Sequence, residues 1–288
     1  MRKNTKKQKN IQKPRKKKAL GQHFLRKQSV VDHMIEKVEI TPKTSVLEIG
    51  CGDGFLTHSI LEQTECKQLI VYEIDREWAE FVKNKIDAIR LDVRIENVLD
   101  ANFDAFEAEK PWVVLANLPY QITFPIMFLF QKHKDLFEEG VVMVQEEVAQ
   151  KIVAKRGKKY SATSIFLQYH FDFELMEKVE PEAFVPPPKV VSRLLYFKPK
   201  HGPSIHDAPH RTRDERHLGR TDDGIQIPEE EKFWKFLKLC FKFPRQTLKN
   251  NLKSTHYDYS KISSEILKLR SQQMSFQDFL DLWEEVRK

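Results

Sequence analysis

The sequence feature that most constrains the fold is a glycine-rich turn between a short apolar strand and a helix. Residues 45–49 have the composition of a buried strand, and the turn Gly50-Cys51-Gly52-Asp53-Gly54 precedes a helix predicted from about Phe55 to Glu62. Glycines at such a turn let a ligand approach the backbone at the helix N-terminus. Their alternating spacing differs from that of the dinucleotide-binding motif, so the turn alone predicts only a nucleotide-type site.

A carboxylate follows the turn at an informative distance. The second strand, predicted over residues 68–74, carries Glu73 at its end, 21 residues after Gly52. In this type of fold an acid about 20 residues beyond the glycine turn binds ribose hydroxyls. We therefore expect Glu73 to bind an unphosphorylated ribose, although an exposed acid at a strand end is the ordinary alternative.

The fourth strand, residues 112–117, stops abruptly at Asn117-Leu118-Pro119-Tyr120. Ligands of an open parallel sheet bind at the carboxyl ends of its strands. An amide, free backbone carbonyls and a flat ring at this point suit a planar base held by its amino group and its face. Taken alone, the same residues are also typical of a turn that ends a strand.

Further strands are predicted near residues 92–96, 140–145, 171–175 and 190–197, with helices between most of them. Alternating strands and helices indicate an α/β fold with a seven-stranded, mostly parallel sheet and a late antiparallel hairpin. Apolar residues at helical spacing then predict a small all-α C-terminal domain. The predicted domains are a basic disordered arm at 1–18, the sheet domain at 19–200, a linker or disordered insertion at 201–228 and the helical domain at 229–288.

The positive charge is concentrated at the start of the chain. The formal net charge is +7, yet residues 1–18 hold ten Lys or Arg and no acid, so the rest of the chain carries −3. Such a block predicts a solvated arm that lies against a polyanion such as RNA, or alternatively a targeting signal of the nuclear type.

Composition also excludes several classes of protein. No apolar run reaches the roughly 20 residues that a membrane helix needs, and no signal peptide opens the chain. Three widely spaced cysteines lack zinc-type pairing, and four histidines between residues 201 and 217 fit no metal site, so we expect no metal. Reduced thiols and the missing signal peptide predict a cytoplasmic protein without membrane contact.

Nine basic side chains are candidate RNA contacts. One group lies in a predicted loop, and the other recurs at steps of three and four residues, which would form one basic stripe if the break at Pro244 is ignored. A solvated charged face is the default explanation. The candidates are Lys155, Arg156, Lys158, Lys159, Lys238, Lys242, Arg245, Lys249 and Lys253.

Five motifs stand together in a characteristic order: Gly21-Gln22-His23-Phe24-Leu25, residues 48–54, Glu73-Ile74-Asp75, Asn117-Leu118-Pro119-Tyr120 and residues 184–190. In this order the chain resembles the ribosomal RNA adenine dimethyltransferases over roughly residues 18–199. Residues 247–253 and 274–276 extend the likeness and are more similar to the small-subunit enzymes of the kasugamycin-sensitivity type than to the erythromycin-resistance branch. The resemblance implies a Rossmann-like class I methyltransferase sheet.

The resemblance also implies a cofactor, S-adenosylmethionine, and the residues that bind it. His23 and Leu25 would close over this methyl donor, and Glu73 would take its ribose hydroxyls. Asn97 stands where the family usually has an Asp that accepts from the donor's adenine, with Asp100 as a weaker alternative. The implied cofactor-binding set is His23, Leu25, Gly50, Gly52, Glu73, Asn97 and Asn117.

The implied catalytic residues are Asn117, Leu118, Pro119, Tyr120 and Phe184. The Asn117 side chain and the Leu118 carbonyl would accept the hydrogens of the target amino group, while Tyr120 and Phe184 would stack on the extruded base. The implied reaction is dimethylation of adjacent adenines in small-subunit ribosomal RNA, by a protein expected to be a monomer. Val191 and residues 244–246 depart from the family pattern. These departures bear on how the RNA docks and not on the chemistry.

Three other functions remain open at this point. The chain could methylate large-subunit RNA, as macrolide-resistance enzymes do, or serve as a non-catalytic assembly or transcription factor on the same fold. A DNA adenine methyltransferase is disfavoured because no large target-recognition domain is present. Fold alone decides between none of them.

Overall fold

The apolar runs of the sequence form a central sheet in the computed structural model, which describes residues 13–15, 17, 22–200, 227–253 and 255–287. Most of the predicted arm and nearly all of the predicted insertion, including its four histidines, lie outside these residues. The chain divides into two compact units, one of residues 1–146 with 175–198 and one of residues 147–174 with 199–288.

The described strands are β1 (Phe24–Leu25), β2 (Ser45–Ile49), β3 (Gln68–Glu73), β4 (Leu91–Ile95), β5 (Trp112–Asn117), β6 (Phe137–Gln145), β7 (Phe171–Val179), β8 (Phe184–Val185) and β9 (Ser192–Pro199). The α-helices are α1 (Gln28–Glu36), α2 (Phe55–Gln63), α3 (Arg76–Lys85), α4 (Thr123–Lys132), α5 (Glu146–Ile152), α6 (Ala162–His170), α7 (Glu230–Cys240), α8 (Leu248–Leu252), α9 (Ser264–Lys268) and α10 (Phe276–Val286).

Seven strands form one sheet in the order β4-β3-β2-β5-β6-β9-β7. The strands from β4 to β6 are parallel, and β9 is antiparallel to β6. The predicted mixed α/β fold with a mostly parallel seven-stranded sheet is therefore confirmed. Strands β2 and β5 lie inside the sheet, and burial of nearly all their residues explains why their sequences are mainly apolar.

A second, two-stranded sheet was not predicted. Strand β1 pairs antiparallel with β8, so that Phe24 faces Val185 and Leu25 faces Phe184 in register. Each strand has two residues, too few to show alternation. The pairing ties the segment before α1 to the segment before β9.

The second unit has its own aromatic core. Phe233, Phe236 and Trp283 are buried together in it, and Tyr160 and Ile165 from the segment before and within α6 belong to the same cluster. This packing explains why residues 147–174 group with the C-terminal helices. From the sequence these residues were placed in the domain at 19–200, and the domain boundaries stay a prediction. A capping box formed by Ser275 and Asp278 begins α10.

None of the helices in the described ranges is long and apolar enough to cross a membrane.

Candidate active site

Three sequence motifs meet at one edge of the sheet. Strands β3, β2 and β5 are parallel neighbours and end at Glu73, Ile49 and Asn117. The glycine turn begins after Ile49, and its Gly50 N–H donates to the Tyr72 carbonyl at 2.8 Å. The acid, the turn and the amide are thus brought to the edge where parallel sheets bind their ligands.

Two glycines of the turn, Gly50 and Gly52, share a backbone conformation that favours glycine but differ in the space around them. Gly50 and Gly52 have φ of +78° and +52°, a left-handed conformation that side chains disfavour. A Cβ on Gly52 would lie 2.8 Å from the Phe24 ring, whereas a Cβ on Gly50 would meet nothing nearer than the Asn117 carbonyl at 4.0 Å. The turn is therefore closed on the Phe24 side and open beside Gly50.

Glu73 is fixed by donors from the turn and from its own loop. Its Oε2 accepts from Gly52 N–H at 3.3 Å, and its Oε1 accepts from Asp75 N–H at 2.9 Å. Burial raises the pKa of this carboxyl, and the two backbone donors oppose that shift. Glu73 is 7% exposed, so little water can compete with a ligand for its remaining acceptor positions.

A second buried acid, Glu48, lies on β2 two residues before the turn. Its side chain is fully buried, and neither carboxylate oxygen has a hydrogen-bond partner in the described part of the chain. Burial raises the pKa of Glu48 to about 8. Glu48 was not predicted as a site residue from the sequence, although an acid within a mainly apolar strand was the available signal for a functional role.

Asn117 and Leu118 offer two acceptor oxygens. The Asn117 Nδ2 donates to the His23 carbonyl at 3.3 Å, which orients the amide, and the Leu118 N–H donates to the Met143 carbonyl at 3.1 Å. Among the described residues, nothing donates to Asn117 Oδ1 or to the Leu118 carbonyl. Both oxygens are thus available to a ligand.

Tyr120 is held at both ends. Its hydroxyl lies 2.7 Å from Ser192 Oγ, and its ring is parallel to that of His23, with 6.3 Å between centroids. Burial raises the pKa of the Tyr120 hydroxyl, so this ring stays neutral at physiological pH. His23 in turn lies with Nδ1 2.9 Å from the Pro186 carbonyl. Ser192 was not identified from the sequence.

Phe184 takes a different position from the one that stacking requires. Its ring is 2% exposed and packs in the main core of its unit beside Leu25. The predicted contact with a base would need the covering residues to move, and it stays a prediction.

Asn97 uses its side chain locally. Its Oδ1 accepts from Leu99 N–H at 3.2 Å, and its Nδ2 donates to Asp100 Oδ2 at 2.9 Å. The amide therefore caps a short 3-10 turn over Val98–Asp100. Asn97 and Asp100, the two candidates for the contact with the donor's adenine, are thus hydrogen-bonded to each other. Which of them binds the adenine stays a prediction.

Basic residues cover the acids beside the turn. Arg26 forms a two-pronged pair with Asp53, and Lys13 Nζ lies 2.7 Å from the same carboxylate. Lys17 Nζ lies 2.8 Å from Asp75, which also accepts from the Gln22 amide. From the sequence we expected the arm to contact RNA or to act as a targeting signal, and these pairs were not predicted.

The nine candidate RNA contacts all lie in the second unit and are exposed. The predicted single stripe is wrong, because α7 ends at Cys240 and the chain turns through residues 241–247 before α8. Lys242 and Arg245 lie in that turn, while Lys249 lies in α8. No described carboxylate is within salt-bridge distance of any of the nine.

The fold and this edge of the sheet define a Rossmann-like class I methyltransferase. A family model for ribosomal RNA adenine dimethylase matches residues 13–210. The chain is 33% identical to the ribosomal RNA small subunit methyltransferase A of Mycoplasma mobile, over 88% of this chain and 89% of that one. It is 34% identical to the protein of the same name in Chlorobium phaeobacteroides strain BS1, over 94% of each. This chain belongs to the ribosomal RNA adenine dimethylase family.

Solved structures agree on the fold. A dimethyladenosine transferase from Plasmodium falciparum is similar with a TM-score of 0.70 and 24% identity, covering 91% of this chain and 97% of that chain. The 23S rRNA methyltransferase ErmE is similar with a TM-score of 0.67 and 21% identity, covering 92% of this chain and all of that one.

Proposed function

We propose that the protein uses S-adenosylmethionine to dimethylate the 6-amino group of adjacent adenines in small-subunit ribosomal RNA, as a step of ribosome maturation in the cytoplasm. Membership of the ribosomal RNA adenine dimethylase family and the similarity to two proteins named ribosomal RNA small subunit methyltransferase A support the reaction and the RNA. The single observation that carries the proposal is the pair of unpaired acceptors, Asn117 Oδ1 and the Leu118 carbonyl, at the carboxyl end of the central strand.

The residues at the glycine turn fit the methyl donor. Glu73 offers carboxylate oxygens to a ribose diol, and the open space beside Gly50 admits the methionine part close to the backbone. The unpartnered Glu48 carboxyl below the turn suits a nearby ammonium group, which would favour its ionised form. When bound, S-adenosylmethionine supplies a methyl group that is electrophilic because its sulfur is positively charged.

Ile74 is a further candidate for the donor site that was not predicted from the sequence. Ile74 follows Glu73 directly and is 60% exposed, although large apolar side chains are usually covered. An adenine ring beside the ribose would cover this face, and we assign Ile74 that role. The apolar residue after a strand-end acid was the available signal.

The two acceptors explain how an adenine amino group becomes reactive. Its nitrogen is a weak nucleophile because the lone pair is delocalised into the ring. Asn117 Oδ1 and the Leu118 carbonyl hold its hydrogens and favour a more pyramidal nitrogen. The proton that the methylated nitrogen must lose after each transfer passes to water. Pro119 has no N–H to compete for the same oxygens. Catalysis then rests on positioning and electrostatics rather than on a strong base.

Base stacking positions the nitrogen between these acceptors. Tyr120 is half-buried, neutral and oriented by Ser192, so its ring offers a fixed face. A stacked base gains about 1–3 kcal/mol from such a contact. Because no charged group contacts the amino nitrogen, the same site accepts adenine and monomethyladenine, which is what two successive transfers require.

The experiment is methyl transfer by the purified full chain, acting as a monomer, to unmethylated small-subunit particles. Large-subunit RNA and duplex DNA are the control substrates, and mass spectrometry reads dimethyladenosine. We expect modification of the small-subunit particles alone. Dimethyladenosine in large-subunit RNA alone would assign the protein to the macrolide-resistance type. Bound donor without transfer to any substrate would favour a non-catalytic factor.

A further inference from the structure

Two phenylalanines of the second unit, two residues apart, have opposite environments. Phe241 is 8% exposed, and its ring packs edge-on against Tyr160 with 5.6 Å between centroids. Phe243 is 47% exposed. Single exposed apolar side chains are common, so exposure alone assigns no role to Phe243, and its role depends on how the ring is held and on what surrounds it.

A buried amide side chain, that of Asn251, holds the backbone at the exposed Phe243. Asn251 is 2% exposed, and its Oδ1 accepts from Phe243 N–H at 2.8 Å. Its Nδ2 donates to the Phe243 carbonyl at 3.2 Å and to the Thr247 carbonyl at 3.3 Å. One side chain thus binds both backbone polar groups of Phe243, which fixes the direction in which the ring leaves the turn.

The surroundings of the ring are strongly basic. Lys242 Nζ lies 5.3 Å from the ring centroid, and Arg245 is exposed two residues on. Tyr160, which packs on Phe241, immediately follows the basic loop of residues 155–159. That loop is anchored by Gly157 N–H to the Gln272 carbonyl at 2.9 Å. The cations of both segments lack a carboxylate partner among the described residues.

An exposed ring beside cations that have no carboxylate partner among the described residues favours one kind of ligand. Phosphates of any nucleic acid satisfy the cations, but a paired base inside a duplex offers no free face to the ring. An unpaired nucleotide in a folded RNA offers both, with its base on the aromatic face and its flanking phosphates on Lys and Arg. A protein partner would need an acidic and apolar patch together.

We propose that Phe243 is a stacking platform for an unpaired base of the RNA substrate, separate from the adenine that reacts. This inference rests on the proposed function and adds a second base contact to it. The platform would set which structured RNA the second unit accepts, through a loop or bulge placed over the ring. Lys242 and Arg245 would hold the phosphates on either side.

Binding of transcribed, unmethylated small-subunit ribosomal RNA to the full chain tests the platform. We expect Phe243→Ala to weaken affinity by about 10- to 100-fold, the range of one base–aromatic stack, without changing the salt dependence. Phe243→Trp should retain affinity. Lys242→Gln should instead reduce the slope of log affinity against log salt. Ile89→Ala, which truncates an exposed apolar side chain of the other unit, is the matched control.

A fully paired RNA of the same length separates stacking from general damage. Phe243→Ala should bind this duplex as well as the wild type does, and its melting temperature should match that of Ile89→Ala. Equal losses for folded RNA and duplex, or affinity for folded RNA within twofold of the wild type, would overturn the inference. Should the alanine variant fold poorly, Phe243→Gln is used instead to compare binding of folded RNA and duplex. A wild-type chain that methylates no RNA would instead contradict the proposed function.

Discussion

Glu73 and Asn117 hold their side chains by the same means, a hydrogen bond to a backbone group of a neighbouring segment. Gly52 N–H donates to Glu73, and Asn117 donates to the His23 carbonyl. Each side chain keeps acceptor capacity for a ligand after this bond is made. We therefore expect ligand binding at the residue scale to depend on the acceptor atoms that these two side chains keep free.

Loss of the Glu73 carboxylate should weaken donor binding. We expect Glu73→Ala to lower the affinity for S-adenosylmethionine by about 10- to 100-fold, because hydrogen bonds to a charged acceptor are worth roughly 1.5–3 kcal/mol. Calorimetric titration measures the change. Glu80→Ala removes an exposed acid of α3 and should have no effect. Equal affinities for Glu73→Ala and the wild type would remove Glu73 from the donor site.

Glu48 should make stability depend on pH in the ligand-free protein. Burial raises its pKa to about 8 from an ordinary 4.5, so between these values the folded state holds a proton that the unfolded chain has released. The free energy of unfolding therefore falls as pH rises through this window, by at most about 1.4 kcal/mol per pH unit. We expect the melting temperature of Glu48→Gln, measured relative to that of the wild type, to rise as the pH increases from 5 to 8. A constant difference across that range would show that Glu48 titrates normally.

At the scale of elements, the sequence predicted the central strands better than it predicted contacts between distant segments. Strands β2 and β5 have the predicted bounds because each is a buried, mainly apolar segment followed by a turn. The β1–β8 ribbon escaped prediction because it depends on pairing between residues 160 positions apart. The basic stripe was wrong because helical spacing was extended across Pro244, and the burial of Phe184 depends on tertiary packing that no local pattern reports.

The start of the chain should contribute to RNA binding without holding the donor. Deleting residues 1–12 removes five Lys or Arg but keeps the pairs of Lys13 with Asp53 and of Lys17 with Asp75. We expect weaker RNA binding and a shallower salt dependence, because fewer phosphate contacts release fewer counterions. Donor affinity should be unchanged. An unaltered salt slope, measured by titration from about 50 to 200 mM salt, would show that these residues make no RNA contact.

Across the whole molecule the two units carry different chemistry. The first holds the glycine turn, the buried acids and the two acceptor oxygens, while the second holds exposed cations and a fixed aromatic ring. Under the proposed function, the first set would bind a donor and an amino group that many nucleic acids share. We therefore predict that selection of one RNA depends mainly on the second set, so that substitutions in the first lower turnover and substitutions in the second lower RNA affinity.

The most direct test of the proposed activity is mass spectrometry of ribosomal RNA from cells that lack the gene and carry either the wild type or Asn117→Ala. We expect the wild type to restore dimethyladenosine at two adjacent adenines of small-subunit RNA. Asn117→Ala, at equal protein level and with RNA binding intact, should leave these positions largely unmodified. Full dimethylation by Asn117→Ala, or no small-subunit dimethyladenosine with the wild type, would contradict the assignment.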